Sequence, residues 1–212
     1  MTRMKVILAR PLLGSAVILV ALTFSIGVTG CASGTKVTRV DTGVVTDLSG
    51  RWNDTDSKMV AETMVREALE QPWLGNFTSS EGRQPVVVVG TILNRSHEHI
   101  NVQTFVSDLE RELTNSQSVT FVAGSAEREE IREERREQAA HAREDTQKGP
   151  GKELGADYML KGNISSILDE TDGVKAVFYQ VDLEMINLES NVKAWYGQKK
   201  IKKVVERKRM LF

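Results

Sequence analysis

Residues 86–113 read VVVVGTILNRSHEHINVQTFVSDLEREL, and the change of apolar period within this stretch decides the fold class. Val86-Val87-Val88-Val89 is apolar at every position. A strand with one wet face alternates, so an unbroken run suits a central strand covered on both faces. Further on, Val102, Phe105, Val106, Leu109 and Leu113 recur at three-to-four-residue spacing. That is the stripe of an amphipathic helix, covering about residues 102–115. Strand and helix periods alternate from Val37 onward, which is the reading of mixed α/β structure.

Working outward, residues Val37 to Val45 are read as a first strand, followed by turn formers and N-cap candidates (Asp54, Thr55) through Ser57. A helix over residues 56–71 places Ala61, Met64, Val65, Ala68 and Leu69 on one stripe, and Pro72 helps stop it. On the other side, Ser118 to Val122 reads as a short strand. Residues 125–147 read as a helix with five arginines and eight acids up to Asp145, and little apolar content beyond Ile131 and alanines. Interleaved charges of both signs describe a solvated helix with local ion pairs, not a nucleic-acid-binding one. Three strands close the chain. Tyr158 to Ile167 comes first. In the next, Val177, Tyr179, Val181, Leu183 and Met185 alternate with Gln180, Asp182 and Glu184, so one face is buried and the other wet. After a turn at Asn187 to Asn191, Lys193 to Val205 returns antiparallel. The expected architecture is a single mixed β-sheet flanked by helices.

The N-terminus is of another kind. Arg3, Lys5 and Arg10 precede an uncharged apolar run over residues 11–28, close to the ~20 residues that span a bilayer. Charge before the run and small residues at its end are the plan of a secretory signal. The closing residues Val28-Thr29-Gly30-Cys31 resemble the lipobox read by lipoprotein signal peptidase. The resemblance implies removal of residues 1–30 and acylation of Cys31, with palmitate among the chains; two or more chains hold a protein stably on a membrane. Cys31 is the only cysteine, so once acylated it leaves no thiol for disulfides, zinc or nucleophilic catalysis. Ala32 stands where an aspartate commonly retains a lipoprotein in the inner membrane, which points to the outer membrane. Residues 31–36 form a short tether, reaching about 20 Å when extended, and residues 37–212 form the domain.

Removal of the leader takes away three cations and no acid from a chain of formal net charge −1, leaving 182 residues of net charge −4. That balance excludes a nucleic-acid partner by bulk electrostatics. Asp47, Asp54 and Asp56 lack the spacing of a calcium loop, and helix capping is the better reading. His97-Glu98-His99 has no further histidine nearby except His141, and a loop after a strand is an ordinary place for polar residues; no metal and no cofactor are expected. Phosphate-cradling glycine loops and nucleophile elbows are missing, so no catalytic residue is assigned. Two surfaces are singled out. Trp52, flanked by Arg51 and Asn53, is a candidate partner contact, tryptophan being enriched at interface hot spots. Lys199, Lys200, Lys202 and Lys203 either guard an edge strand against aggregation or form a basic surface for anionic headgroups or an acidic partner.

The run DLSGRWNDTDS at residues 47–57 resembles the opening of the penicillin-binding protein activator LpoB family. SAEREE at 125–130, LGADYMLKG at 154–162 and WYGQKKIKKVV at 195–205 match the same family in order. The resemblance implies a fold related to the N-terminal domain of TolB and a periplasm-facing, outer-membrane lipoprotein without enzymatic activity. It further implies a partner, a class A penicillin-binding protein stimulated in peptidoglycan synthesis and cell wall biogenesis. The short tether motivates a second reading, an envelope accessory or assembly lipoprotein that acts by self-association.

Overall fold

The computed structural model describes residues 36–171 and 173–206; the leader, the lipobox and Cys31 lie outside the described residues. The chain divides into two units, Met1–Asp41 and Thr42–Phe212. Of the first, residues 36–41 are described and carry no helix or strand.

In the second unit, α1 (Asp54–Leu69) and α2 (Pro72–Glu81) precede strand β1 (Val86–Arg95). Helix α3 (Val102–Ser116) leads to the short β2 (Thr120–Phe121), and α4 (Ser125–His141) follows. Strands β3 (Tyr158–Thr171), β4 (Val174–Asn187) and β5 (Lys193–Glu206) end the fold. The sheet order is β2-β1-β3-β4-β5. β1 runs parallel to β2 and β3, while β3, β4 and β5 form an antiparallel meander, so the sheet is mixed. The fold is therefore α/β, as the periods require.

Burial follows the pleat. Val177, Tyr179, Val181, Leu183 and Met185 of β4 are each at most 1% exposed, and full burial of such side chains contributes roughly 1.5–3 kcal/mol apiece. They join Leu160 and Ile164 of β3, Val60 and Met64 of α1, and Phe105, Leu109 and Leu113 of α3 in one core. On β5 the inward row is Trp195, Gly197, Lys199, Ile201 and Lys203. A Cβ on Gly197 would lie 2.1 Å from the Trp195 indole, so the ring folds over a position only glycine can leave open.

Three elements depart from expectation. Residues 37–45 form no strand, and Val37, Val40, Val44 and Val45 are exposed. Their spacing does not alternate, so a strand here would have no one apolar face to bury. Helix α2 forms from PWLGNFTSSE, a stretch poor in helix formers and without a helical signal in the sequence. Pro72 stops α1 and also starts α2, since the first helical position needs no N–H. The helix is held by packing: Trp73 and Phe77 lie 4.7 and 5.6 Å from the Tyr158 ring, and the Trp73 indole donates to the Ala68 carbonyl at 2.7 Å. The charged helix is also shorter than read, ending at His141 with no buried residue.

Candidate partner-binding surface

The segment 47–57 is clasped to the sheet. Gly50 adopts φ +67°, and a Cβ there would meet Val205 at 2.4 Å, so only glycine makes this turn. Its carbonyl lies 3.3 Å from the Tyr179 hydroxyl. Trp52 is half-buried, edge-on to Phe105 (6.0 Å) and Tyr179 (5.7 Å). Its backbone N–H donates to Glu98 Oε2 at 3.3 Å, and Tyr179 Oη donates to Glu98 Oε1 at 2.7 Å. Burial, reinforced by the Glu98 hydrogen bond, pushes the Tyr179 hydroxyl far above its ordinary pKa. Trp52 thus faces the core, with its ring turned to Phe105 and Tyr179. Arg51 beside it is exposed.

Asn53, rather than Asp54 or Thr55, is the N-cap of α1. Its Oδ1 accepts from the Asp56 N–H at 3.1 Å, and its own N–H donates to Asp56 Oδ2 at 3.0 Å, a reciprocal capping box. Asn53 Nδ2 also donates to Asp47 Oδ1 at 2.7 Å. Lys203 completes the clasp. Its ammonium reaches Asp47 Oδ1 and Asp56 Oδ2 at 2.6 Å each and the Arg51 carbonyl at 3.2 Å. Burial lowers the Lys203 pKa, but the two carboxylates outweigh it and hold the group above its ordinary value.

The four lysines expected on one surface are therefore split by the two-residue pleat. Lys203 points inward with 9% of its side chain exposed, and Lys199, on the same inward row, is half-buried. Lys200 and Lys202 point outward and are exposed. The outward face of β3, β4 and β5 is polar. At its centre, Asp182 accepts from Gln180, Gln198 and Tyr196, the last two at 2.8 Å. Burial pushes this carboxyl up, yet the donors Gln180, Gln198 and Tyr196 together hold it below the usual range. Glu184 alongside is paired with Lys161 and Lys193. Here the face forms a depression of ≈ 500 Å³ that Arg95, Lys161, Asp182 and Tyr196 help to line.

Sequence reasoning passed over Glu153. Arg132 pairs with it at 2.9 Å and Arg135 at 3.3 Å, with Arg128 at 3.9 Å, which ties α4 to the segment after it. The three arginines were legible in sequence, but the carboxylate they share lies beyond the helix. The histidines do not converge: His97 Nδ1 lies 2.6 Å from Ser166 Oγ, joining the β1–α3 loop to β3. Among the described residues, no group of three or more His, Cys, Asp or Glu could hold a metal ion. Among them also, no helix is long and apolar enough to cross a membrane.

The model of a family described as peptidoglycan-synthase activator LpoB matches residues 56–201. No curated protein sequence matches the chain. Among solved structures, the LpoB C-terminal domain from Escherichia coli is similar at 16% identity and TM-score 0.41, covering 70% of this chain and 99% of that one. The NMR structure of E. coli LpoB is similar at 14% identity and TM-score 0.39, over 85% of this chain and 86% of that one. Lipoprotein GNA1162 from Neisseria meningitidis is similar at 12% identity and TM-score 0.36, over 59% of this chain and 88% of that one.

Proposed function

We propose that this chain, which belongs to the peptidoglycan-synthase activator LpoB family, is a regulatory binding module that engages and stimulates a class A penicillin-binding protein. The observation that carries this reading is the family match itself. It runs from 56 to 201, from within α1 to within β5, with every element between them. In this reading the protein works by binding and performs no chemistry of its own. Acyl chains on Cys31 hold it on the outer membrane, with the domain facing the periplasm. Arg51 and the outward side of β5 are the surfaces through which it acts. Trp52 contributes by fixing the clasp that presents Arg51.

The test uses the full acylated chain in mild detergent with a class A penicillin-binding protein from the same organism. Binding and a several-fold, saturable rise in glycan polymerisation are expected. An unchanged rate with no binding overturns the proposal. If membrane extracts then hold the chain as an oligomer, the accessory role by self-association takes its place.

A further inference from the structure

We propose that the free edge of β5 captures an extended, acidic segment of a partner protein as a sixth strand of the sheet. β5 is the outermost strand of the order β2-β1-β3-β4-β5 and runs for 14 residues. Among the described residues its backbone bonds to β4 and to no other segment. A row of unpaired N–H and C=O groups is a template for an added strand.

The side chains along this edge specify which strand it accepts. Tyr196, Gln198, Lys200 and Lys202 lie on the outward face, and Tyr196 is 56% exposed. Lys200 and Lys202 are two residues apart, so an adjacent strand with acids at alternate positions sets one carboxylate opposite each. Neither lysine enters a close ion pair among the described residues, Lys200 acting on Asp182 only at longer range, whereas the nearby carboxylates have closer partners. Asp182 is held by Gln180, Gln198 and Tyr196, and Glu184 by Lys161 and Lys193. A second copy is a poor occupant. Pairing two β5 edges brings the outward Lys200 and Lys202 of both copies onto one face of the ladder, and like charges in cross-strand contact are destabilising. The lysines thus repel the chain's own edge and select an acidic one.

This inference rests on the reading of the chain as a binding module and names the chemistry of what it binds. The test is fluorescence anisotropy with the purified full chain and a labelled synthetic peptide alternating glutamate with threonine. Saturable binding is expected, with slowed amide hydrogen exchange in β5 between Trp195 and Lys202. Lys200→Glu together with Lys202→Glu should weaken it on the order of tenfold, and a lysine–threonine peptide should restore binding to that variant. On the unmodified protein, N-methylation of the peptide backbone at alternate residues should abolish binding. Equal affinity of the methylated peptide, protection elsewhere in the chain, or no binding at all overturns the proposal. A chain that stimulates a synthase yet ignores the peptide sinks the edge alone; one that binds the peptide without stimulating sinks only the synthase reading.

Discussion

Lys203 is the residue on which the clasp depends, because Asp56 has 5% of its side chain exposed and Asn53 and Lys203 as its hydrogen-bonding partners. Lys203→Met leaves a buried carboxylate without a cation, and breaking such a pair costs about 3–5 kcal/mol. Urea denaturation should show this loss, and adding Asp56→Asn should recover part of it; a Lys203→Met variant as stable as the parent shows that the pair does not hold the segment. The acid limb of stability belongs to this scale as well. Asp157 takes a bidentate contact from Arg83 at 2.7 Å, and Arg83, with the Val86 N–H, holds its carboxyl below the usual range despite burial. As pH falls, the unfolded carboxyl takes up its proton first, so the stabilisation is complete above the ordinary carboxylate range and is lost below it. Urea midpoints measured from neutral pH downward should therefore fall less steeply for Asp157→Asn than for the parent; parallel curves refute the assignment. Neither role was legible from local sequence. Odd-numbered Trp195 and Ile201 disclose which residues of β5 face inward. A lysine on that row still reads as surface until Asp56, 147 positions away, is found opposite it.

Among the elements, α3 and α4 behave in opposite ways, and their sequences say so. The α3 stripe buries Phe105, Leu109 and Leu113 completely, whereas α4 buries nothing and leaves Ile131 40% exposed. Leu109→Ala should cost about 2–5 kcal/mol, and Ile131→Ala should stay within roughly 0.5 kcal/mol, both read from chemical denaturation. Comparable losses at the two sites place α4 in the core and overturn this account. Strong periods such as those of α3, β3 and β4 are legible because burial imposes them one side chain at a time. Helix α2 is not, because Trp73 and Phe77 acquire meaning only beside Tyr158. The absent strand at 37–45 shows the converse: valines that do not alternate give a sheet no apolar face to bury.

For the whole molecule, the question is how a domain is held on a membrane. From Cys31 to Val37 the tether reaches about 20 Å when extended, and within the folded unit Lys203 grips the chain at Asp47. The candidate surfaces Arg51, Lys200 and Lys202 all lie C-terminal to that grip, so attachment and recognition are separable. Cys31→Ser should abolish palmitate labelling and leave an uncleaved precursor, and persistent labelling refutes the anchor. The complementary experiment inserts a site for a sequence-specific protease after Val40, where the described chain is exposed and carries no helix or strand. Cutting membrane-bound protein there should release a domain that unfolds cooperatively with the urea midpoint of the intact chain. A cleaved domain that still sediments with the membranes shows that its own surface, and not the acyl chains alone, holds it there. The outward lysines of β5 would then be facing lipid, and the salt dependence of release would measure their share.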